Sequence, residues 1–99
     1  MSLPVRVHEA AEAEIKEAVD FYDVESPGLG DELTNEIERG IDDISRYPQL
    51  APVVRGRSIR AKNLMKFPHV LVYHVGQSEI ILLAVAHHKR RPFYWTSRV

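Results

Sequence analysis

The residues best equipped for chemistry stand near the end of the chain, in AHHKRRPFYW, residues 86 to 95. Neutral imidazole takes a proton near physiological pH and imidazolium returns it, so His87 or His88 has what attack by a ribose 2′-hydroxyl on a phosphodiester requires. Lys89, Arg90 and Arg91 supply cations for a phosphate, and Tyr94 offers a phenol for proton transfer, stacking or anchoring. Neighbouring strand residues point to opposite faces, so His87 and His88 share a site only if the strand has already ended. Each role has a structural counterpart: histidines at the surface, cations guarding a sheet edge, and Pro92-Phe93-Tyr94-Trp95 as an aromatic clasp in which Trp95 packs.

A second basic group precedes these. In a strand over residues 58 to 65, Arg60 and Lys62 project together with Lys66 just beyond, Leu64 lying between them, opposite Ile59, Ala61 and Met65. If helices cover the Ile59 face, this stripe lies on the open face beside the basic strand end at His87, with Arg55, Arg57, Lys89, Arg90 and Arg91 around it. Such a patch suits a phosphate backbone with unstacked bases, or an acidic peptide. His69 and His74 stand five apart, and no set of histidines and carboxylates has metal-ligand spacing, so neither a metal nor a cofactor is assigned.

The charge distribution sharpens the point. Residues 1 to 50 hold 13 Asp and Glu against 4 Lys and Arg, whereas residues 51 to 99 hold a single acid, Glu79, against 9 bases. An acidic half and a basic half either attract each other within the fold or leave the basic side for an anionic partner. The 99 residues make one domain with one core. The absence of cysteine excludes disulfides and thiolate chemistry. The longest apolar run, Ile80 to Ala86, is far below the roughly 20 residues that span a bilayer, and MSLPVRVHEA lacks the blocks of a signal peptide. A cytoplasmic protein with no membrane partner is expected.

The elements that must position these residues follow from periodicity. PVRVH alternates as a short strand with Val5 and Val7 on one face. Ala11, Ile15, Ala18, Val19 and Tyr22 mark one face of a helix, and Leu33, Ile37, Ile41 and Ile44 that of a second. Between them Ser26-Pro27-Gly28-Leu29-Gly30 breaks the chain, with Ser26 as N-cap and Pro27 as first residue of the second helix. Tyr47-Pro48 ends that helix, and QLAPVVRGRS, with Pro52 and Gly56, reads as a connecting loop. Three strands follow, about Ser58 to Met65, Pro68 to Val75 and Glu79 to His87, the last two joined at Gly76-Gln77-Ser78. The run IILLAVA lacks polar alternation, as expected of a strand covered on both faces. The order β-α-α-β-β-β gives an α+β fold, a helical hairpin packed on a mostly antiparallel sheet.

The alanine- and glutamate-rich first helix ending in FYDVESPGLGDEL, the close of the second on ISRYPQLAP, the strand around KFPHVLVYHV, and above all AVAHHKRRPFYW together resemble the RelE/ParE superfamily of toxins from type II toxin-antitoxin modules, in its ParE-like, plasmid-stabilisation branch. The resemblance spans nearly the whole chain. It implies a compact α+β toxin, a cognate antitoxin whose acidic and apolar tail wraps the working face, contact with operator DNA only through that antitoxin, and a target that is either DNA gyrase or the translating ribosome. In nuclease members an arginine stands three positions before the strand tyrosine; here Tyr73 matches the tyrosine and Val70 holds the other position. That departure favours growth arrest by binding gyrase over cleavage of messenger RNA. The resemblance leaves two alternatives: a ribosome-dependent ribonuclease using Arg60, Lys62, His87 or His88, Arg91 and Tyr94, and a decayed toxin that only binds antitoxin. For partner binding without catalysis, the residues concerned are Arg60, Lys62, Lys66, Lys89, Arg90 and Arg91.

Overall fold

The computed structural model describes residues 2 to 99. Strand β1 (Val5–Val7) leads into helices α1 (Glu9–Glu25) and α2 (Leu29–Arg46), followed by β2 (Val53–Arg55), β3 (Ile59–Asn63), β4 (His69–Val75), β5 (Ile80–His87) and a closing 3-10 turn, Thr96–Arg98. The sheet order is β1-β5-β4-β3-β2. β1 runs parallel to β5 and every other neighbouring pair is antiparallel. The α+β arrangement expected from periodicity is therefore present, with one strand more than the sequence signalled.

That strand is β2, which lies within the segment read as a loop. Pro52, lacking an N–H, precedes it, and Gly56 at a φ of 58° turns the chain into β3. Three residues between a proline and a glycine are too few to show alternation, yet two β-branched valines suffice to pair at a sheet margin. The helix junction also differs from expectation. α1 continues to Glu25, and Gly28 at a φ of 90° precedes α2, which begins at Leu29. A left-handed residue at position 28 needs the missing Cβ of glycine. Asp23 Oδ1 accepts the Gly30 N–H at 2.8 Å and thereby satisfies one of the donors left over at the start of α2.

Both helices lie on one face of the sheet for the reason their periodicity gave. Ala11, Ile15, Ala18, Val19 and Tyr22 of α1, and Leu33, Ile37, Ile41 and Ile44 of α2, join Leu71, Tyr73, Leu82 and Val85 in a single core. α2 approaches closely at Gly40, where a Cβ would stand 2.7 Å from Leu71 Cδ1. On the other face Ile59, Val72, Leu83 and Ala84 are covered by Trp95 from the chain's end. β5 is buried on both sides, as its uninterrupted apolar run implied. Register breaks between Val72 and Tyr73 opposite β5, so Leu83 and Ala84 both turn to the Trp95 face and the residues after them resume in shifted phase.

Candidate functional site

Arg60 pairs with Tyr73 and Lys62 with Leu71, and Tyr73 and Leu71 belong to the core beneath the helices. The two cations are consequently on the helix-facing side, and Ile59 and Ala61 on the other. The expected basic stripe on the open face does not form. Arg60 instead serves the connection after α2: Nη1 donates to Ala51 O at 2.6 Å and to Gln49 O at 3.4 Å, while the Tyr73 hydroxyl donates to Pro48 O at 2.9 Å. Lys62 and Lys66 border a groove against α2 together with Glu38, Asp42 and Asp43. Acids of α2 and these two lysines thus border the same groove. Buried Glu36 accepts the backbone N–H groups of Met65 and Lys66, a carboxylate capping the end of β3.

The cations near the C-terminus are arranged differently. β1 covers β5 only from Ile80 to Leu82, leaving the strand edge beyond without a neighbouring strand. Side chains replace it. Glu14 Oε1 accepts the Val85 N–H at 3.0 Å, and Arg98 Nη1 donates to Leu83 O at 3.0 Å. The same carboxylate takes both terminal nitrogens of Arg98, at 3.0 and 3.1 Å, and the Tyr94 hydroxyl at 2.7 Å. Glu14 and Arg98 are largely shielded from water, so these charge-assisted bonds are each worth about 1.5–3 kcal/mol. Burial and the bond to the Glu14 carboxylate push the Tyr94 phenol up to about 12. A phenol so held is a poor proton acceptor at neutral pH. Its ring carries Arg90 on one face, the guanidinium carbon 3.9 Å from the centroid.

His87 lines a cleft beside α1 with His69, and it also borders, with His88, Arg90, Arg91 and Tyr94, a groove closed by Phe93 and Trp95. Phe93 adopts a φ of 61°, uncommon for a residue with a side chain, where the tail folds back, and the Arg55 guanidinium sits 5.1 Å from its ring centre. Lys89 and Arg91 are exposed. Of the residues suggested for nuclease chemistry, His87, His88, Arg91 and Tyr94 border this one groove, whereas Arg60 and Lys62 stand apart from it. Arg60 pairs with Tyr73, whereas His87 pairs with His69, four residues and roughly 13 Å further along β4. Arg91 lies in the groove against Trp95, on the face away from Arg60.

Sequence reasoning passed over Glu14 and Arg98 and weighed His69 only as a metal ligand. Glu14 was legible as an acid between Ala11 and Ala18 on the apolar face of α1, and His69 as a residue in phase with Leu71 and Tyr73. His69 is only 5% exposed and its Nδ1 has no hydrogen-bond partner. Burial, with His87 and His88 nearby, lowers its pKa to about 4. Arg98 carried no signal. Among the described residues, no group of three or more His, Asp and Glu is placed to hold a metal.

A family model for the ParE toxin of the type II toxin-antitoxin system parDE matches residues 5–92. The chain belongs to the ParE toxin family. Among solved structures, one described as a chromosomal ParDE toxin-antitoxin system from P. aeruginosa superposes with a TM-score of 0.76 at 18% identity, over 87% of this chain and 96% of that one. At that identity the likeness speaks for the fold. No curated protein matches the chain. Membership of the ParE family makes this a toxin of a ParDE system and implies a cognate antitoxin as its partner. No helix among the described residues is long and apolar enough to cross a membrane.

Proposed function

We propose that this ParE family toxin arrests growth by binding DNA gyrase in the cytoplasm, stabilising the replicon that carries it, and that its cognate antitoxin neutralises it by covering the basic second half of the chain with an acidic and apolar segment. The observation that carries the gyrase reading is the separation of Arg60 and Lys62 from the groove that His87, His88, Arg91 and Tyr94 share, together with the engagement of the Tyr94 phenol by Glu14. Arg60 is tied to the carbonyls of Gln49 and Ala51, and the Tyr94 phenol to Glu14. Cleavage by 2′-hydroxyl attack needs a base, an acid and cations within hydrogen-bond reach of one phosphate. Binding a large protein target requires only a positioned surface. Lys89, Arg90 and Arg91 supply exposed charge on a tail fastened by Glu14 and Trp95, and they are the residues for that role.

Controlled expression without antitoxin tests the reading. Growth arrest with inhibited supercoiling by gyrase supports it. Arrest in which supercoiling is untouched while ribosome-bound transcripts are cut replaces it with the ribonuclease. A chain that binds antitoxin but leaves growth unaffected is a decayed toxin.

A further inference from the structure

The cleft between α1 and the end of β5 shares only Arg90 with the residues proposed above for binding gyrase. Its volume is about 350 Å³, and its floor is apolar and aromatic: Ala18, Phe21, Tyr22 and Val85. Phe21 is 58% exposed there, a large side chain left facing water. Three polar features accompany the floor. His69 lines the cleft as a buried side chain whose Nδ1 is unpartnered and shielded from solvent. The Lys89 N–H donates to His87 Nδ1 at 3.0 Å, so neutral His87 carries its proton on Nε2 and adds a donor to the wall. Arg90, on the rim, is steadied against the Tyr94 ring rather than left free.

Charge decides what fits. Of the two carboxylates in the lining, Glu14 is neutralised by Arg98, and Glu17 on the α1 side repels an anion from that wall. An incoming carboxylate is therefore directed to Arg90 and His87. A second copy of this chain does not complement the cleft through its basic half, because residues 51 to 99 offer only Glu79 as an acid. We infer that the cleft is an anchor site for an extended acidic peptide segment, taking one large apolar side chain over Phe21 and Tyr22 and the adjacent carboxylate at Arg90. The inference rests on the antitoxin reading for the source of that segment and names where on the toxin it seats.

The probe is an acetylated, amidated peptide, Leu-Phe-Glu-Asp, titrated into the full chain while the imidazole and aromatic signals are followed by NMR. Gly-Gly-Glu-Asp and Leu-Phe-Gln-Asn serve as controls. The site predicts shifts confined to His69, His87, Phe21 and Tyr22, with each control at least about tenfold weaker. Arg90→Gln, at an exposed position, should weaken the acidic peptide at least about tenfold and leave the amide control unchanged. His69→Leu should weaken both apolar peptides by about three- to tenfold. Equal binding of all three peptides, shifts away from the cleft, or none at millimolar peptide overturns the site. A parallel arm separates this from the antitoxin reading. If the protein encoded beside the toxin binds Arg90→Gln and His69→Leu as tightly as the unmodified chain, the anchor site is wrong and the antitoxin reading stands. If the neighbour does not bind the unmodified chain while the peptide does, the antitoxin reading fails and the site stands.

Discussion

Glu14 on the first helix accepts the hydroxyl of Tyr94 at 2.7 Å across 80 residues of sequence. One carboxylate thereby joins α1, the uncovered edge of β5 and the tail that carries the basic residues. Replacing it leaves the Val85 N–H and the Arg98 guanidinium in a largely shielded site without their acceptor. Glu14→Ala should lower stability by about 2–4 kcal/mol. Trp95 is the only tryptophan, so its emission reports the tail directly, and a red shift before global unfolding is expected in the variant. An unchanged denaturation midpoint would show that the tail is held by packing alone.

The histidine beneath α1 makes stability depend on acid. His69 has a folded pKa of about 4 against an unfolded value near 6.5, so the unfolded chain binds the proton more readily. The stability it contributes is complete above pH 6.5 and disappears as pH falls toward 4, by roughly 3 kcal/mol at most. The groups around it are Tyr22, in edge contact, His87 and His88, with Glu14, Glu17 and Arg90 in the same cleft. Unfolding measured between pH 7 and 4 should show a flatter dependence for His69→Leu than for the unmodified chain. Parallel curves would mean that other groups carry the acid response.

Tyr94 imposes the opposite limit. Its folded pKa of about 12 lies above the ordinary phenol value of 10, so the folded state holds the proton more tightly and this stabilisation is lost as pH rises from 10 to 12. Tyr94→Phe should reduce alkaline sensitivity in that interval, read by urea midpoints. If the variant also kept full growth arrest once corrected for stability, the phenol would have no part in chemistry.

Much of this architecture is written in the sequence, but not all of it in a form that alternation discloses. The faces of α1 and α2 follow from Ala11 to Tyr22 and from Leu33 to Ile44, because a period near 3.6 has one solution. Alternation in β3 separates Arg60 and Lys62 from Ile59 and Ala61 equally well, yet it does not say which set the helices cover. Both sets can be accommodated, since the aliphatic stems of Arg and Lys cover apolar surface while their heads reach carbonyls or water. In IILLAVA every residue is apolar, so the doubled facing of Leu83 and Ala84 leaves no trace. The histidines after that bulge inherit its phase, which is why the placement of His87 beside His69 needed the structure.

Gly40 is a packing requirement. A methyl group there would stand 2.7 Å from Leu71 Cδ1, and fully buried Leu71 has little room to move. Overpacking of this kind costs about 1–3 kcal/mol, against about 1 kcal/mol gained from the better helix former. Gly40→Ala should be neutral to destabilising by about 2 kcal/mol in urea unfolding. A clear gain in stability would mean that α2 can lift from the sheet without penalty.

We propose holding of gyrase, rather than cutting of RNA, as the way this ParE family toxin works. The most direct measurement is purified gyrase supercoiling relaxed plasmid in the presence of the toxin, with and without an equimolar amount of its antitoxin. The account predicts inhibited supercoiling that antitoxin reverses, and loss of inhibition when Lys89, Arg90 and Arg91 are replaced together. Undiminished supercoiling at a large molar excess of toxin, in a preparation that still arrests growth, would contradict it.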